Sequence, residues 1–457
     1  MIGRLTGIVL VLTTAFATIA EWHGGHIVAL AAGLGVAAFL VLAAPRVRWS
    51  RRVFIVIALA LVVIAVATRP DWPRLVESAF GSAAFITAFF CALTCLRYAS
   101  AASPAIAVCG RFLAEQPPGR RYAALTVGGH LFGLVLNYGA ISLLGNLAEA
   151  SAARETNVEI RAIRIRRMLL AIQRGFIATL CWSPLAFASA ISTALVPGST
   201  WAAAAAPCFV SSVIMAGLGW ALDTIFKPRL ANRPARAVPT GSWASLLPLL
   251  ALLAILVSGI GALHALTGIR AVGVAMVIVP AVALIWLAMQ NRGLGVATPL
   301  IRHSLNYVDE LATYRSELVL LLMAGFIGAL GSRLMLPVVM ASGFDLAVLP
   351  GWLILVGLVW LIPLTGIMGM NPILSVSLIA PLLPQAHAMG VTPTAVIVAI
   401  TAGWAISGAS SPYTATTLLI GLVAKVSAWH VGLVWNGLYT IVCGVALSVW
   451  VLIFALV

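Results

Sequence analysis

Acidic side chains are scarce in this chain: 12 Asp and Glu among 457 residues, against 27 Lys and Arg. Charged residues make up only 9% of the sequence and hydrophobic ones 62%. Soluble domains carry roughly a quarter charged residues, so apolar runs of this extent do not fit one soluble core, and a bilayer is the expected solvent. Alternating polarity is missing too, which excludes transmembrane strands and leaves helices as the spanning element. Lysine is nearly absent, with Lys227 and Lys425 the only two. The arginines sit in short loops between apolar runs with few aromatics beside them. They read as topology signals facing an anionic leaflet, and no nucleic-acid partner is expected. Of the six cysteines, Cys91 and Cys95 share a helix face, but no second pair completes a four-ligand set. All six read as small core residues, and no metal is expected. The N-terminus, with Arg4 and an apolar run to Ala20, has the look of a signal peptide but lacks a small-x-small cleavage site, so residues 1–25 read as a retained first membrane helix.

Eleven apolar stretches are long enough to span, near 5–21, 26–44, 53–68, 76–96, 168–195, 199–223, 244–262, 271–290, 317–335, 393–422 and 431–455. Two more, 122–148 and 351–383, carry a polar break in the middle, at Asn137-Tyr138-Gly139 and Asn371-Pro372. These read as re-entrant hairpins. With the N-terminus in the cytoplasm, the inner loops hold most of the basic residues, including Arg46 to Arg52 and Arg154 to Arg167, and the outer loops only Arg69, Arg74, Arg270 and Arg333. A simple span at 122–148 would put the Arg154–Arg167 cluster outside, so the positive-inside rule favours the hairpin and a periplasmic C-terminus. Segment 150–173 alternates Ile160, Ile163 and Met168 with Arg161, Arg164 and Arg167, the pattern of a helix lying in the cytoplasmic interface. Residues 225–243, with Pro228, Pro234 and Pro239, form the one linker-like stretch and divide the chain into 26–224 and 244–457.

The two parts repeat. Gly175-Phe176 precedes Ser183-Pro184 at the same spacing as Gly403-Trp404 precedes Ser411-Pro412. A hydroxyl-rich run follows each proline: Ser189, Ser192 and Thr193, then Thr414, Thr416 and Thr417. Upstream, Gly133, Asn137 and Ser142 match Gly366, Asn371 and Ser375 with Ser377, and a short segment (104–116 and 337–349) precedes each hairpin. An odd number of spans separates the units, so they are opposed, an inverted-repeat organisation found mostly in transporters.

A proline inside a spanning helix removes a hydrogen bond and opens the helix. Freed carbonyls at membrane depth persist where they line a cavity or hold an ion. Ser183-Pro184 and Ser411-Pro412 therefore mark broken helices, and Asn137 and Asn371 mark hairpin tips. Half-helix N-termini suit an anionic group, and carbonyls with Ser, Thr and Asn oxygens suit Na⁺. No acidic residue lies between Glu159 and Asp223 or after Asp345. An obligatory carboxylate proton relay is therefore not expected in these elements, although protons still have a route through substrate or His130. Asn137, Gly139, Ser142, Ser183, Asn371, Ser375, Ser411 and Thr414 are the candidate substrate- and ion-binding residues, with His130 a candidate substrate or proton contact. Glu21, His23 and His26 read as a wet outer loop, and Asp309, Glu310 and Glu317 as charges at a helix N-terminus.

In this organisation the chain resembles the ion transporter superfamily, which includes divalent anion:sodium symporters and the large membrane subunits of tripartite periplasmic transporters. The dicarboxylate symporters carry Ser-Asn-Thr at each hairpin tip; here the tips read Asn137-Tyr138-Gly139 and Asn371-Pro372-Ile373, and only the asparagine carries over. The resemblance implies a scaffold domain from spans 26–96 and 244–335, and a transport domain from the hairpins with spans 168–223 and 393–455. It implies interfacial arms at 104–116 and 337–349, a homodimer, and an elevator motion. The expected protein is an all-α polytopic inner-membrane transporter of about eleven helices and two re-entrant hairpins. It moves a small anionic organic solute coupled to Na⁺ or H⁺, with no other cofactor and no enzymatic activity. The alternatives are a membrane subunit served by a separate binding protein and, from another class, an integral-membrane enzyme.

Overall fold

The structure, a computed structural model, describes residues 2–101, 103–228, 241–291, 297–342 and 346–456. Most of the 225–243 linker, with Arg229, Arg233 and Arg236, lies outside the described residues, as do Arg292 and Asp345. The described chain is helical throughout. The helices are α1 (Ile2–His23), α2 (His26–Ala43), α3 (Trp49–Thr68), α4 (Trp72–Ala101), α5 (Pro104–Ala114), α6 (Arg121–Leu136), α7 (Gly139–Ala153), α8 (Val158–Trp182), α9 (Phe187–Leu195) and α10 (Trp201–Ile225). They continue with α11 (Leu247–Thr267), α12 (Ala271–Gln290), α13 (Ala297–Leu311), α14 (Arg315–Ala341), α15 (Gly351–Ile367), α16 (Pro372–Ile379), α17 (Pro393–Ser410), α18 (Ala415–Ala424) and α19 (Gly437–Leu456). Among the described residues, 11 helical stretches are long and apolar enough to cross a membrane. Two of these are composites, α8 with α9 and α17 with α18, each interrupted for four residues at Ser-Pro. Helices α6, α7, α15 and α16 are each shorter than the roughly 20 residues a crossing needs; α6 and α7 pack on each other as a hairpin, and α15 and α16 are separated by the break at 368–371.

Two expectations change in detail. Segment 150–173 is no separate interfacial helix: Asn157 caps α8 by accepting from the Glu159 and Ile160 amides at 3.0 and 3.1 Å, and α8 then runs unbroken into the membrane. Residues 337–341 continue α14 through Pro337.

The chain divides into two compact units. The first comprises Met1–Ala99, Ser258–Val348 and Ile373–Pro384. Its core packs Phe39, Leu322, Leu330 and Phe326, the last meeting Phe80 edge to face at 5.0 Å. At its polar ends Arg4 grips Asp309 at 3.0 and 3.3 Å and Arg270 grips Glu21 at 2.5 and 2.6 Å, while His26 meets Glu77 at 2.9 Å. Glu21 and His26 thus face different partners, and Asp309 closes an ion pair; only Glu317 sits in the first turn of α14.

The second unit comprises Ser100–Val257, Leu349–Pro372 and Gln385–Val457. The second hairpin is therefore divided: α15 and Asn371 belong here, and Ser375 on α16 to the first unit. The two broken spans form the centre, with 94% of the core window of each buried. Glycine sets how closely the first hairpin meets the first broken helix. A Cβ on Gly175 would collide with the Thr126 carbonyl and one on Gly129 with the Ile172 carbonyl. In the second half, a Cβ on Gly403 would meet the Leu358 carbonyl at 2.6 Å. At the rim, Arg167 holds Asp223 through two bonds of 2.8 and 2.6 Å and ties α8 to α10.

This packing separates two classes of glycine. Gly175→Ala is expected to lower stability by about 1–3 kcal/mol, because the backbone it strikes has nowhere to move. Gly217→Ala, which meets nothing within 4 Å, is expected to leave it unchanged or slightly raised. Thermal unfolding of the purified variants in detergent measures both.

Candidate functional site

Pro184 and Pro412 have no N–H to give to the carbonyls four residues earlier, Leu180 and Gly408. The breaks follow directly. Helix α8 ends at Trp182 with Ser183 extended as its C-cap, and α17 ends at Ser410 with Ser411 in the same role. In both, the serine oxygen accepts from the amide two residues on, Leu185 at 3.1 Å and Tyr413 at 3.3 Å. The helices then resume at Phe187 and at Ala415.

The second break gathers oxygen. Ser411 donates to the Gly366 carbonyl on the hairpin arm α15 at 2.7 Å. The Ser411 carbonyl accepts from Thr414 at 2.9 Å and from Thr417 at 2.6 Å. Thr416 donates to the freed Gly408 carbonyl, and Thr414 lies 2.9 and 3.2 Å from the Thr416 and Thr417 hydroxyls. Ser407 is fully buried against Gly366, and its hydroxyl has no hydrogen-bond partner among the described residues. This is a cluster of neutral hydroxyl and carbonyl oxygens at the end of a half-helix, a donor set of the kind that suits a small hard cation. The adjoining tip is fixed by a helix-ending motif: Gly369, at φ 103°, lets Met370 donate to Thr365 at 3.0 Å and Gly369 to Gly366 at 3.1 Å. Asn371 follows it, half-buried, immediately before Pro372 opens α16.

The first break is drier. Its hairpin tip crosses the last turns of α8, where Gly133 lies against Phe176 and Thr179 and the Tyr138 ring sits 5.4 Å from that of Phe176. Trp182 donates its indole N–H to Nε2 of His130 at 3.2 Å, with the rings stacked at 11°. An indole only donates, so Nε2 accepts, and the imidazole here is neutral with its proton on Nδ1. A proton arriving at Nε2 has to break this bond. Trp201 caps the far side by donating to the Trp182 carbonyl at 2.8 Å.

At the first tip Asn137 carries φ 50° and ψ −134°, a conformation that glycine adopts freely and asparagine does not. Its half-buried side-chain amide has no hydrogen-bond partner among the described residues. Gly139 opens α7, and Ser142 lies half-buried one turn along it. The structure thus groups Asn137, Gly139 and Ser142 at one tip, beside α8. It groups Ser411, Thr414 and Asn371 at the other, beside α17. Ser183 is buried at its own break, and Ser375 is buried in the first unit. Among the described residues no hydrogen bond joins Asn137, Ser142 or Ser183 to Ser411 or Thr414. The sequence reading passed over Ser407 and the roles of Thr416 and Thr417, which sit four and five residues after Pro412 and so turn back onto the break. It also passed over Gln173, Arg174 and Asn436, three buried polar residues in otherwise apolar helices.

No family model matches this chain, and no curated protein matches it. Solved structures do. The fold is similar to that of the YdaH transporter of Alcanivorax borkumensis, with a TM-score of 0.61 and 19% identity over 88% of this chain and 98% of that one. It is also similar to MtrF of Neisseria gonorrhoeae, described as one of a class of antimetabolite efflux pumps, with a TM-score of 0.58 and 14% identity over 89% of this chain and 95% of that one. The chain therefore shares the fold of these two proteins along nearly its whole length.

Asn137 allows backbone and side chain to be tested apart. Asn137→Gly relieves the strained φ and is expected to keep or raise thermal stability, whereas Asn137→Ala retains the strain, of about 1–3 kcal/mol. Both are expected to lose solute movement in reconstituted liposomes. Wild-type rates in Asn137→Gly would remove the amide from the site.

Proposed function

We propose that this chain is a secondary active transporter that moves a small anionic organic solute across the inner membrane, coupled to Na⁺ or H⁺. The observation that carries the reading is the pairing, within one compact unit, of each Ser-Pro break with a hairpin tip: Ser411 bonded to Gly366 in one half, Gly133 on Phe176 and Thr179 in the other. Broken helices meeting hairpin tips offer carbonyls, hydroxyls and half-helix N-termini without a carboxylate. The oxygen cluster at 407–417 is the coupling-ion position in this reading, and Asn137 with Gly139 and Ser142 contact the solute. The second unit carries both as a body, in an elevator cycle, and the first is the scaffold through which two copies pair. The N-terminus faces the cytoplasm. One Na⁺ moving through 100 mV supplies about 2.3 kcal/mol, enough for accumulation of several tens-fold when the net load is otherwise neutral.

The test is thermal stability of the purified protein against benzoate, succinate, citrate and glutamate, each in NaCl and in choline chloride. A ligand at a hundred times its Kd stabilises the native state by about 2.7 kcal/mol. A shift with one anion that requires Na⁺ supports symport or antiport with Na⁺. A shift independent of Na⁺ and dependent on pH moves the coupling to H⁺. No shift with any anion in either salt overturns an autonomous anion carrier and leaves the binding-protein-dependent reading. Direction is read in liposomes loaded inside or outside; the efflux class of the Neisseria neighbour makes export the first case to measure. In the same liposomes Asn371→Ala is expected to lose transport with normal expression.

A further inference from the structure

Arg174 lies on α8 at 5% exposure, and its contacts are neutral: Asn436 Oδ1 at 3.1 Å, the Tyr122 hydroxyl at 3.1 Å, the Gly219 carbonyl at 3.4 Å and the Tyr439 ring face at 4.3 Å. From it a hydrogen-bonded chain runs to the second break. Asn436 Nδ2 donates to Gln173 Oε1 at 3.0 Å, and Gln173 Nε2 donates to the Gly408 carbonyl at 3.4 Å. Gln173 and Asn436 are both fully buried. The chain has one direction. A guanidinium only donates, so Asn436 must turn its oxygen to Arg174 and its amide nitrogen to Gln173. Gln173 then turns its oxygen to Asn436 and has only its nitrogen left for Gly408.

Gly408 is the carbonyl orphaned by Pro412, and Thr416 donates to it from the other side. The backbone reinforces the arrangement. Asn436 ends a π-helical turn at His430–Trp435, where its own N–H and side-chain amide both donate to the Val431 carbonyl, at 3.2 and 3.1 Å. In that turn Gly432 lies so close to the Ser410 carbonyl that no Cβ fits. Single π-turns recur at functional sites because they redirect a side chain that an α-helix would leave elsewhere. The first half has no such arrangement. At the repeat spacing Gln173 and Arg174 fall opposite Thr401 and Ala402, and Gly408 opposite Leu180. Among the described residues no side chain donates to the Leu180 carbonyl.

We propose that Arg174, Asn436 and Gln173 are positioning residues that fix the Gly408 carbonyl and, through Thr416, the hydroxyl cluster of the second break. Arg174 sets the orientation of both amides, and Gln173 delivers it to the break. The proposal rests on reading that cluster as the ion position, but its test uses no transport. Gln173→Met keeps the volume and removes both bonds. Hydrogen–deuterium exchange of the full-length protein is compared with wild type over residues 408–418. The expected result is exchange about tenfold faster there, the scale of one lost buried hydrogen bond, with α6 and α10 unchanged. Unchanged exchange at 408–418 overturns the proposal. So does an equal rise in α6 and α10, which is what a general packing role produces. If Gln173→Met does not give monodisperse protein, Asn436→Asp is read by the same criteria, since its carboxylate still accepts from Arg174 but has no donor for Gln173. Where transport is measurable, Gln173→Met is expected to raise the half-saturating ion concentration about tenfold with little change in maximal rate. A fall in maximal rate alone counts against positioning. A local exchange effect in a protein that moves no anion keeps the positioning role and removes only the transport reading.

Discussion

Pro412 leaves the Gly408 carbonyl without its helical donor, in a segment where no lipid group replaces it. Within hydrocarbon such a group is costly unless protein supplies the missing bond. Much of the second unit is arranged around that requirement. Thr416 folds back from the resumed helix, Gln173 reaches across from α8, and Ser411, deprived of a regular continuation, takes the Gly366 carbonyl of the hairpin instead. Each solution recruits a different element, so one missing N–H joins α8, α15, α17 and α18.

Close approach is the second constraint, and it is met with glycine. Side chains at Gly175, Gly403 and Gly366 would push the hairpin arms off the broken helices and carry the polar tips out of reach of the breaks. The three therefore serve the site by what they lack. Arg167 and Asp223 do the complementary work, tying α8 to α10 through a two-point ion pair.

How far this was legible in the sequence depends on the kind of signal. Spans and hairpins were legible because apolar length and the absence of charge are local properties. The breaks were legible because proline acts on its own helix, and the repeat located both at once. What the sequence did not disclose is what depends on distant partners. Gln173 and Arg174 follow an arginine-rich amphipathic stretch, and only the fold shows them turning inward to Asn436, more than 200 positions away. The strain at Asn137 was equally hidden, since a residue's name does not state its φ. A polar Gln-Arg pair inside a span was the available clue, because apolar segments retain such residues where partners await them.

The two halves share a backbone plan but not a chemistry, and the difference is ordered. In the first, the break is flanked by Trp182, His130, Phe176 and Trp201, and the Trp201 indole closes the Trp182 carbonyl at the helix end. In the second, hydroxyls replace the aromatics and a buried guanidinium stands behind them. Aromatic walls favour the flat or apolar body of an organic solute, while small oxygen clusters favour an ion. A duplicated scaffold that had kept both breaks identical would offer two equal sites and no reason to couple unlike cargoes. Diverging the side chains while holding the backbone gives each break a different lining within one compact unit. In the proposed transporter, that is an arrangement by which one motion could carry two different species.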